Sequence, residues 1–158
     1  MNLPVDRDNT EESSTSAVSR EEQDNLGNKY FYGHGIPQDY KQAIKWYRLA
    51  AEQGHSASQN KLGSIYYTGL DVPQDNKEAI RWFQMAAEQG HEYAQFTLGI
   101  MYCFGEGVLR DDKEALKWYR MAAKQGHVAS EESLALMYQH GKGVSQCYTE
   151  AMKLYRLA

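Results

Sequence analysis

The apolar residues of this chain recur at helical spacing, in short amphipathic blocks parted by glycine. Between Ser56 and Thr68, Leu62 and Tyr66 stand four apart with the small Ser58 and Gly63 beside them, which predicts one helix, here called A. The next block carries Ala79, Ile80, Trp82, Phe83 and Ala86 at core spacing and predicts a second helix, B, that starts at Asp75 and stops at Gly90. Both blocks return every 36 residues without insertion. Leu62-Gly63-Ser64-Ile65-Tyr66 reappears at Leu98–Tyr102 and Leu134–Tyr138, and an earlier copy is Leu26–Tyr30. Ala79-Ile80-Arg81-Trp82-Phe83 has counterparts at Ala43–Tyr47, Ala115–Tyr119 and Ala151–Tyr155. A register this constant over four copies defines tandem helix-turn-helix repeats, each of which must stack on its neighbours to bury its apolar face.

Every unit encodes its own starts and stops. Asp75 with Glu78, and Asp111 with Glu114, read as capping boxes, and Asp39 with Gln42 is the amide version. Gly54, Gly90 and Gly126 end the B helices, where a left-handed residue carries no Cβ penalty. The A–B loops read Gly33-His34-Gly35, Gly69-Leu70-Asp71, Gly105-Glu106-Gly107 and Gly141-Lys142-Gly143. Asp71 therefore stands in a column that suits positive φ, a region Asp tolerates better than most residues. The pairs Trp46/Tyr47, Trp82/Phe83 and Trp118/Tyr119 suggest either a ligand cage or core packing, and bulky residues between stacked helix pairs favour the core. The alanine columns at 43, 79, 115, 151 and at 50, 86, 122, 158 let helices approach closely.

The ends depart from the pattern. Where later copies have Ser58, Ala94 and Ser130, the first has Glu22, as a polar N-terminal cap would. Residues 1–18 are rich in Ser, Thr, Glu and Asp without apolar periodicity and are expected to form a disordered tail, leaving 19–158 as the repeat domain. Its units are placed at about 19–54, 55–90, 91–126 and 127–158, the last cut short.

Composition narrows the function classes. The 158 residues are 42% apolar with a net charge of −4, and the acids cluster between Met1 and Asn25, which leaves the repeats nearly neutral. A nearly neutral array gives no footprint for bulk binding to nucleic acid or to an anionic membrane. No leader-like segment or bilayer-length apolar run is seen, and two cysteines without an Asn-x-Ser/Thr sequon favour a reducing compartment. A cytoplasmic location is the expectation.

The repeated strings resemble the Sel-one-like repeat (SLR) family, a relative of the tetratricopeptide repeats. Its pattern is Ala-x-x-x-x-Leu-Gly-x-x-Tyr, Gly-x-Gly-Val, Asp-x-x-x-Ala, Trp-Tyr, then Ala-Ala-x-x-Gly. The third copy matches nearly throughout, from Ala94 and Leu98-Gly99 through Gly105–Val108 and Asp111 to Trp118-Tyr119, Ala122-Ala123 and Gly126. The resemblance implies an all-α fold, an α/α right-handed superhelical solenoid of four helix-turn-helix repeats, and members that mostly act as adaptors. Some secreted, disulfide-rich members are linked to β-lactam hydrolysis, so Ser58-x-x-Lys61 is a candidate nucleophile and base one helical turn apart. Ser58 nevertheless shares the small packing column of Ala94 and Ser130, and no partner motif accompanies it. An enzyme is not expected, and neither is a cofactor.

His55, His91 and His127 form a column one repeat apart, too widely spaced for two imidazoles to share a metal, so a role in the turn is expected. Cys147 replaces the capping aspartates, either as a lost cap or as a thiol activated by helix N-terminal amides. Basic residues recur on helix B at Lys41, Lys45 and Arg48, at Lys77 and Arg81, at Lys113, Lys117 and Arg120, and at Lys153 and Arg156. Glu78, Glu114 and Glu150 offset them as i,i+3 pairs, which reads as a solvated face. Partner recognition is expected where copies differ, on helix A facing an inner groove. Those positions are Asn28 and Phe31, Asn60, Ser64 and Tyr67, Phe96 and Ile100, and Leu136 and Gln139, unless some of them pack between neighbouring A helices. The partner is a protein or peptide; weak self-association through the C-terminal repeat is the alternative.

Overall fold

The structure, a computed structural model, describes residues 18–158. The tail expected over residues 1–18 lies outside these but for Val18. Eight α-helices follow one another among the described residues: α1 (Arg20–Tyr32), α2 (Tyr40–Glu52), α3 (Ser56–Thr68), α4 (Asn76–Glu88), α5 (Glu92–Phe104), α6 (Asp112–Ala123), α7 (Val128–His140) and α8 (Tyr148–Leu157). Odd-numbered helices are A, even-numbered ones B. Each packs on the helix before and after it in the chain, which makes the fold an all-α solenoid of four hairpins. No helix of the described residues is long and apolar enough to cross a membrane.

The caps form as half of what the sequence suggests. Asp39, Asp75 and Asp111 each accept from amides of the first helical turn. The reciprocal half of the box is missing: Glu78 turns to Arg81 and Glu114 to Lys117. The backbone N–H of the cap donates instead to the carbonyl of a helix A tyrosine, from Asp39 to Tyr30 at 3.0 Å and from Asp75 to Tyr66 and Asp111 to Tyr102 at 2.9 Å. Cys147 keeps this bond to Tyr138 at 2.9 Å while losing the side-chain cap. This bond closes every hairpin, and it satisfies the donor that a glutamate would otherwise have to reach. A complete box forms at Ser19 and Glu22, so Glu22 caps α1 itself. The histidine column has the turn role expected of it in two copies, since Nδ1 of His55 and of His127 accepts from the amides of Ser58 and Ser130 at 3.3 Å. His91 makes no such bond.

Helix A ends on left-handed Gly33, Gly69, Gly105 and Gly141, and Asp71 adopts φ 58° in its glycine column. The core consists of the alanine columns apart from the exposed Ala158, of Leu62, Leu98 and Leu134, and of the helix B aromatics Tyr47, Trp82, Phe83, Trp118 and Tyr119. The indole N–H groups of Trp82 and Trp118 are buried without a hydrogen-bond partner among the described residues, so these rings act through packing and through the cations of Arg81 and Lys117, each 5.0 Å from the ring centre. The helix A glycine exists to seat an aromatic ring. A Cβ on Gly27, Gly63 or Gly99 would lie 2.5, 2.7 or 2.5 Å from the ring of Tyr47, Phe83 or Tyr119. In the fourth copy Ala135 replaces that glycine, and Tyr155 is 45% exposed where Tyr47 is 1% exposed.

A ladder of buried amides joins the repeats. Gln59 Nε2 donates to the Ala51 carbonyl and Gln95 Nε2 to Ala87, each at 3.0 Å across a repeat boundary. Gln53, Gln89 and Gln125 donate in turn to the Oε1 atoms of Gln23, Gln59 and Gln95 at 2.7 to 2.9 Å. The fourth copy has Glu131 in this column, and a carboxylate has no proton to offer a carbonyl.

Candidate partner-binding surface

Helix A positions that differ between copies fall into two groups once their partners are known. One group is consumed by the scaffold. Asp24 is buried between α1 and α3, where it receives the Ser58 hydroxyl at 2.6 Å, the Lys61 ammonium at 2.7 Å on both oxygens and the Asn28 amide at 3.0 Å. Asn28 Oδ1 accepts from Lys61 and from the Tyr47 hydroxyl, each at 2.9 Å. Burial pushes the Asp24 carboxyl up, but the bonds from Lys61 and Ser58 outweigh it and hold the group below the ordinary aspartate range. Burial, and then the Asp24 charge, raise the Tyr47 phenol. Asn28 is therefore a structural residue here. Tyr67 is another: its hydroxyl donates to Glu106 at 2.6 Å, which ties α3 to the following A–B loop and raises the phenol's pKa through that bond. Gln139 accepts from Tyr155 at 3.1 Å within its own repeat.

The other group lines two pockets. Phe31, Asn60 and Ser64 face a cavity of about 350 Å³ between α1 and α3, floored by Tyr47 and Lys61 and walled by Ile65 and Leu70. Phe96, Ile100 and Leu136 face a second, of about 370 Å³, between α5 and α7, together with Phe104, Tyr119 and His140. Phe96 is fixed by the rings of His127 at 4.7 Å and Tyr119 at 5.8 Å. Both pockets have mainly apolar walls. In the first, the Asn60 amide has no partner among the described residues, so it can both donate to and accept from a ligand backbone. Phe104, Leu70 and His140 were missed by column comparison restricted to three positions; the column Tyr32, Thr68, Phe104, His140 varies as much and would have revealed two of them.

The geometry does not support hydrolytic chemistry at Ser58. Its side chain is fully buried, and its hydroxyl donates to a carboxylate. Lys61 spends its protons on Asp24 and Asn28, which is the ammonium form and not a base. Among the described residues no cluster of three or more His, Cys, Asp or Glu side chains is placed to hold a metal. Cys103 and Cys147 are both free. On the B helices, Arg81, Lys117 and Lys153 pair with Glu78, Glu114 and Glu150, as a solvated face requires.

A chain of capped hairpins whose repeated columns build the core and whose variable columns open pockets is an α/α repeat scaffold. The Sel1 repeat profile matches residues 23–55, 56–91, 92–127 and 129–158, and the chain belongs to that family. Proteins with Sel1 repeats in general mediate protein–protein interaction. Among solved structures, c5321, a protective antigen of uropathogenic Escherichia coli with an SLR fold, is 38% identical with a TM-score of 0.87 over 92% of this chain. A Sel1 repeat protein from Oxalobacter formigenes is 32% identical, with a TM-score of 0.85 over 94% of the chain. Cysteine-rich protein B of Helicobacter pylori is 25% identical over 76% of this chain and 86% of its own, with a TM-score of 0.58. The chain spans 31% of the first of these proteins and 60% of the second. No curated protein matches the sequence.

Proposed function

We propose that the chain is an adaptor that binds an apolar peptide or protein segment along the groove lined by its A helices. The observation that carries this reading is the placement of six variable helix A residues, Phe31, Asn60 and Ser64 in one pocket and Phe96, Ile100 and Leu136 in the other. The pockets lie two repeats apart, roughly 20 Å at about 10 Å per packed helix pair. An extended segment of about six residues spans that distance, with one apolar anchor in each pocket and its backbone held by the Asn60 amide. That both cysteines stand free agrees with a cytoplasmic setting.

Peptides selected from a displayed library against the chain test the reading. Their affinity is expected to fall at least tenfold on Asn60→Ala and on Phe104→Ser, with helicity and melting temperature unchanged. Phe104 is 71% exposed, so its loss leaves the fold intact. Selected peptides that bind both variants as tightly as the parent chain would rule out this groove.

A further inference from the structure

The two pockets are one place in the array, met twice. Tyr32, Tyr47 and Leu70 of the first correspond, two repeats on, to Phe104, Tyr119 and Lys142 of the second. The intervening place, between α3 and α5, is bridged by Tyr67, whose hydroxyl donates to Glu106 at 2.6 Å. In all three, a helix A residue meets the middle residue of the next A–B loop. Phe31 and Leu70 share the wall of the first pocket, Tyr67 holds Glu106, and Cys103 and Lys142 share the wall of the second. The loop tip therefore leans back over the preceding A helix and forms the rim of each pocket.

The mount of the tip is fixed while its side chain is not. A Cβ on Gly107 or Gly143 would lie 2.7 Å from the Asn76 Cβ or 2.4 Å from the Asp112 carbonyl oxygen, so each loop is seated against the start of the preceding B helix. The tip column is His34, Leu70, Glu106 and Lys142, four residues of different chemistry on one backbone. Leu70 leaves the rim of the first pocket apolar, and Glu106 is committed to Tyr67. Lys142 is exposed and makes no hydrogen bond or ion pair among the described residues. It contributes to holding the Asp112 carboxyl low, but Arg110 already takes that group with bonds of 2.9 and 3.1 Å. Glu132, in the Asn60 column, does not line the second pocket and stands two helical turns before His140 on α7, roughly 12 Å along its axis.

We propose that the loop tip is the specificity position of each repeat, and that Lys142 selects a partner segment carrying an aspartate or glutamate beside the apolar side chain that enters the second pocket. The proposal rests on the groove being the binding site. An ammonium at the edge of apolar walls gains a carboxylate partner at little cost and turns away a like charge, so it sets which segment binds and in which register. The first pocket, rimmed by Leu70, places no such demand on the residues around its anchor. The occupant is thus an extended segment with two apolar anchors, one of them flanked by an acid. The Tyr67–Glu106 bridge between the pockets keeps a third anchor out.

Peptides displayed as fusions, with no free C-terminus, supply the test. Those selected on the parent chain are expected to carry Asp or Glu within two residues of one of their two apolar anchors. Lys142→Glu should weaken such a peptide at least tenfold, whereas Lys77→Glu, the same change of charge at an exposed position of α4, should leave it within twofold. Exchanging the peptide's acid for lysine should recover most of the affinity for Lys142→Glu. Peptides that depend on Asn60 and Phe104 but bind Lys142→Glu as tightly as the parent overturn the specificity assignment and leave the groove standing. Equal losses on Lys142→Glu and Lys77→Glu overturn it as well, since the charge would then act through the general field of the protein. Peptides indifferent to Asn60, Phe104 and Lys142 alike overturn both the assignment and the groove.

Discussion

Replacing Gly99 by alanine separates packing from helix propensity, because the two effects have opposite signs. In an open helix position, glycine to alanine stabilises by about 1 kcal/mol. Gly99 lies under the Tyr119 ring, and an added Cβ would sit 2.5 Å from both Cδ1 and Cε1, roughly 1 Å inside ordinary carbon contact. Tyr119 has little room to yield, since it is 3% exposed and packed against Phe96. Overpacking a core of this kind costs about 1–3 kcal/mol, so once the propensity gain is subtracted the net effect is a loss of up to about 2 kcal/mol. The fourth copy shows the alternative outcome, with Ala135 in the glycine column and its tyrosine left half in solvent. Urea unfolding followed by circular dichroism and by tryptophan fluorescence measures the change, and Tyr119→Leu in the same chain should recover most of it. A Gly99→Ala midpoint above that of the parent would refute the seating argument, as would a double variant no better than the single one.

Two further outcomes follow from the junctions. The Asp24 carboxyl is held below its ordinary value of 3.8, so its ion pair contributes fully above that pH and is lost as pH falls through the lower folded value. Asp24→Asn should therefore cost about 2 kcal/mol at neutral pH, less than a wholly buried pair because Lys61 is part exposed, and the difference from the parent should shrink as pH falls through that lowered value; thermal melts from pH 7 to 2.5 check this. Restoring the missing cap with Cys147→Asp should stabilise the last hairpin by about 0.5–2 kcal/mol. Hydrogen exchange would show it as added protection confined to α8, and unchanged exchange there would mean the retained Cys147–Tyr138 backbone bond already suffices.

The scaffold was largely legible because the chain states it four times. Glycine stops, alanine columns and aromatic pairs each gain their meaning from recurrence, and helices A and B fall where the second copy places them. The site was harder to read. Variation between copies marks positions released from the core, but it does not distinguish a residue free to meet a ligand from one recruited by a single junction. Asn28 and Asn60 look alike in sequence, yet Asn28 is bound by Asp24, Lys61 and Tyr47 and Asn60 is open. The signal lay in a pair of singletons: Asp24 is the only aspartate in its column and Lys61 the only lysine in its own, 37 residues apart. The capping glutamates were misread for a related reason. A cap motif shows which bonds are available, and the competing acceptor at Tyr66 sits on another helix.

The glutamine ladder bears on how such a chain can change over generations. Gln59 and Gln95 each reach a carbonyl of the preceding hairpin and accept from a glutamine of their own, so both ends of the amide are committed to one alignment. Inserting or deleting one or two residues within a hairpin strands a buried donor and a buried acceptor at about 1–3 kcal/mol apiece, a large fraction of a domain's stability. Loss or duplication of a whole unit strands neither. The ladder thus acts as a reading frame in three dimensions, tolerating change in steps of a full repeat while leaving the groove columns free to drift.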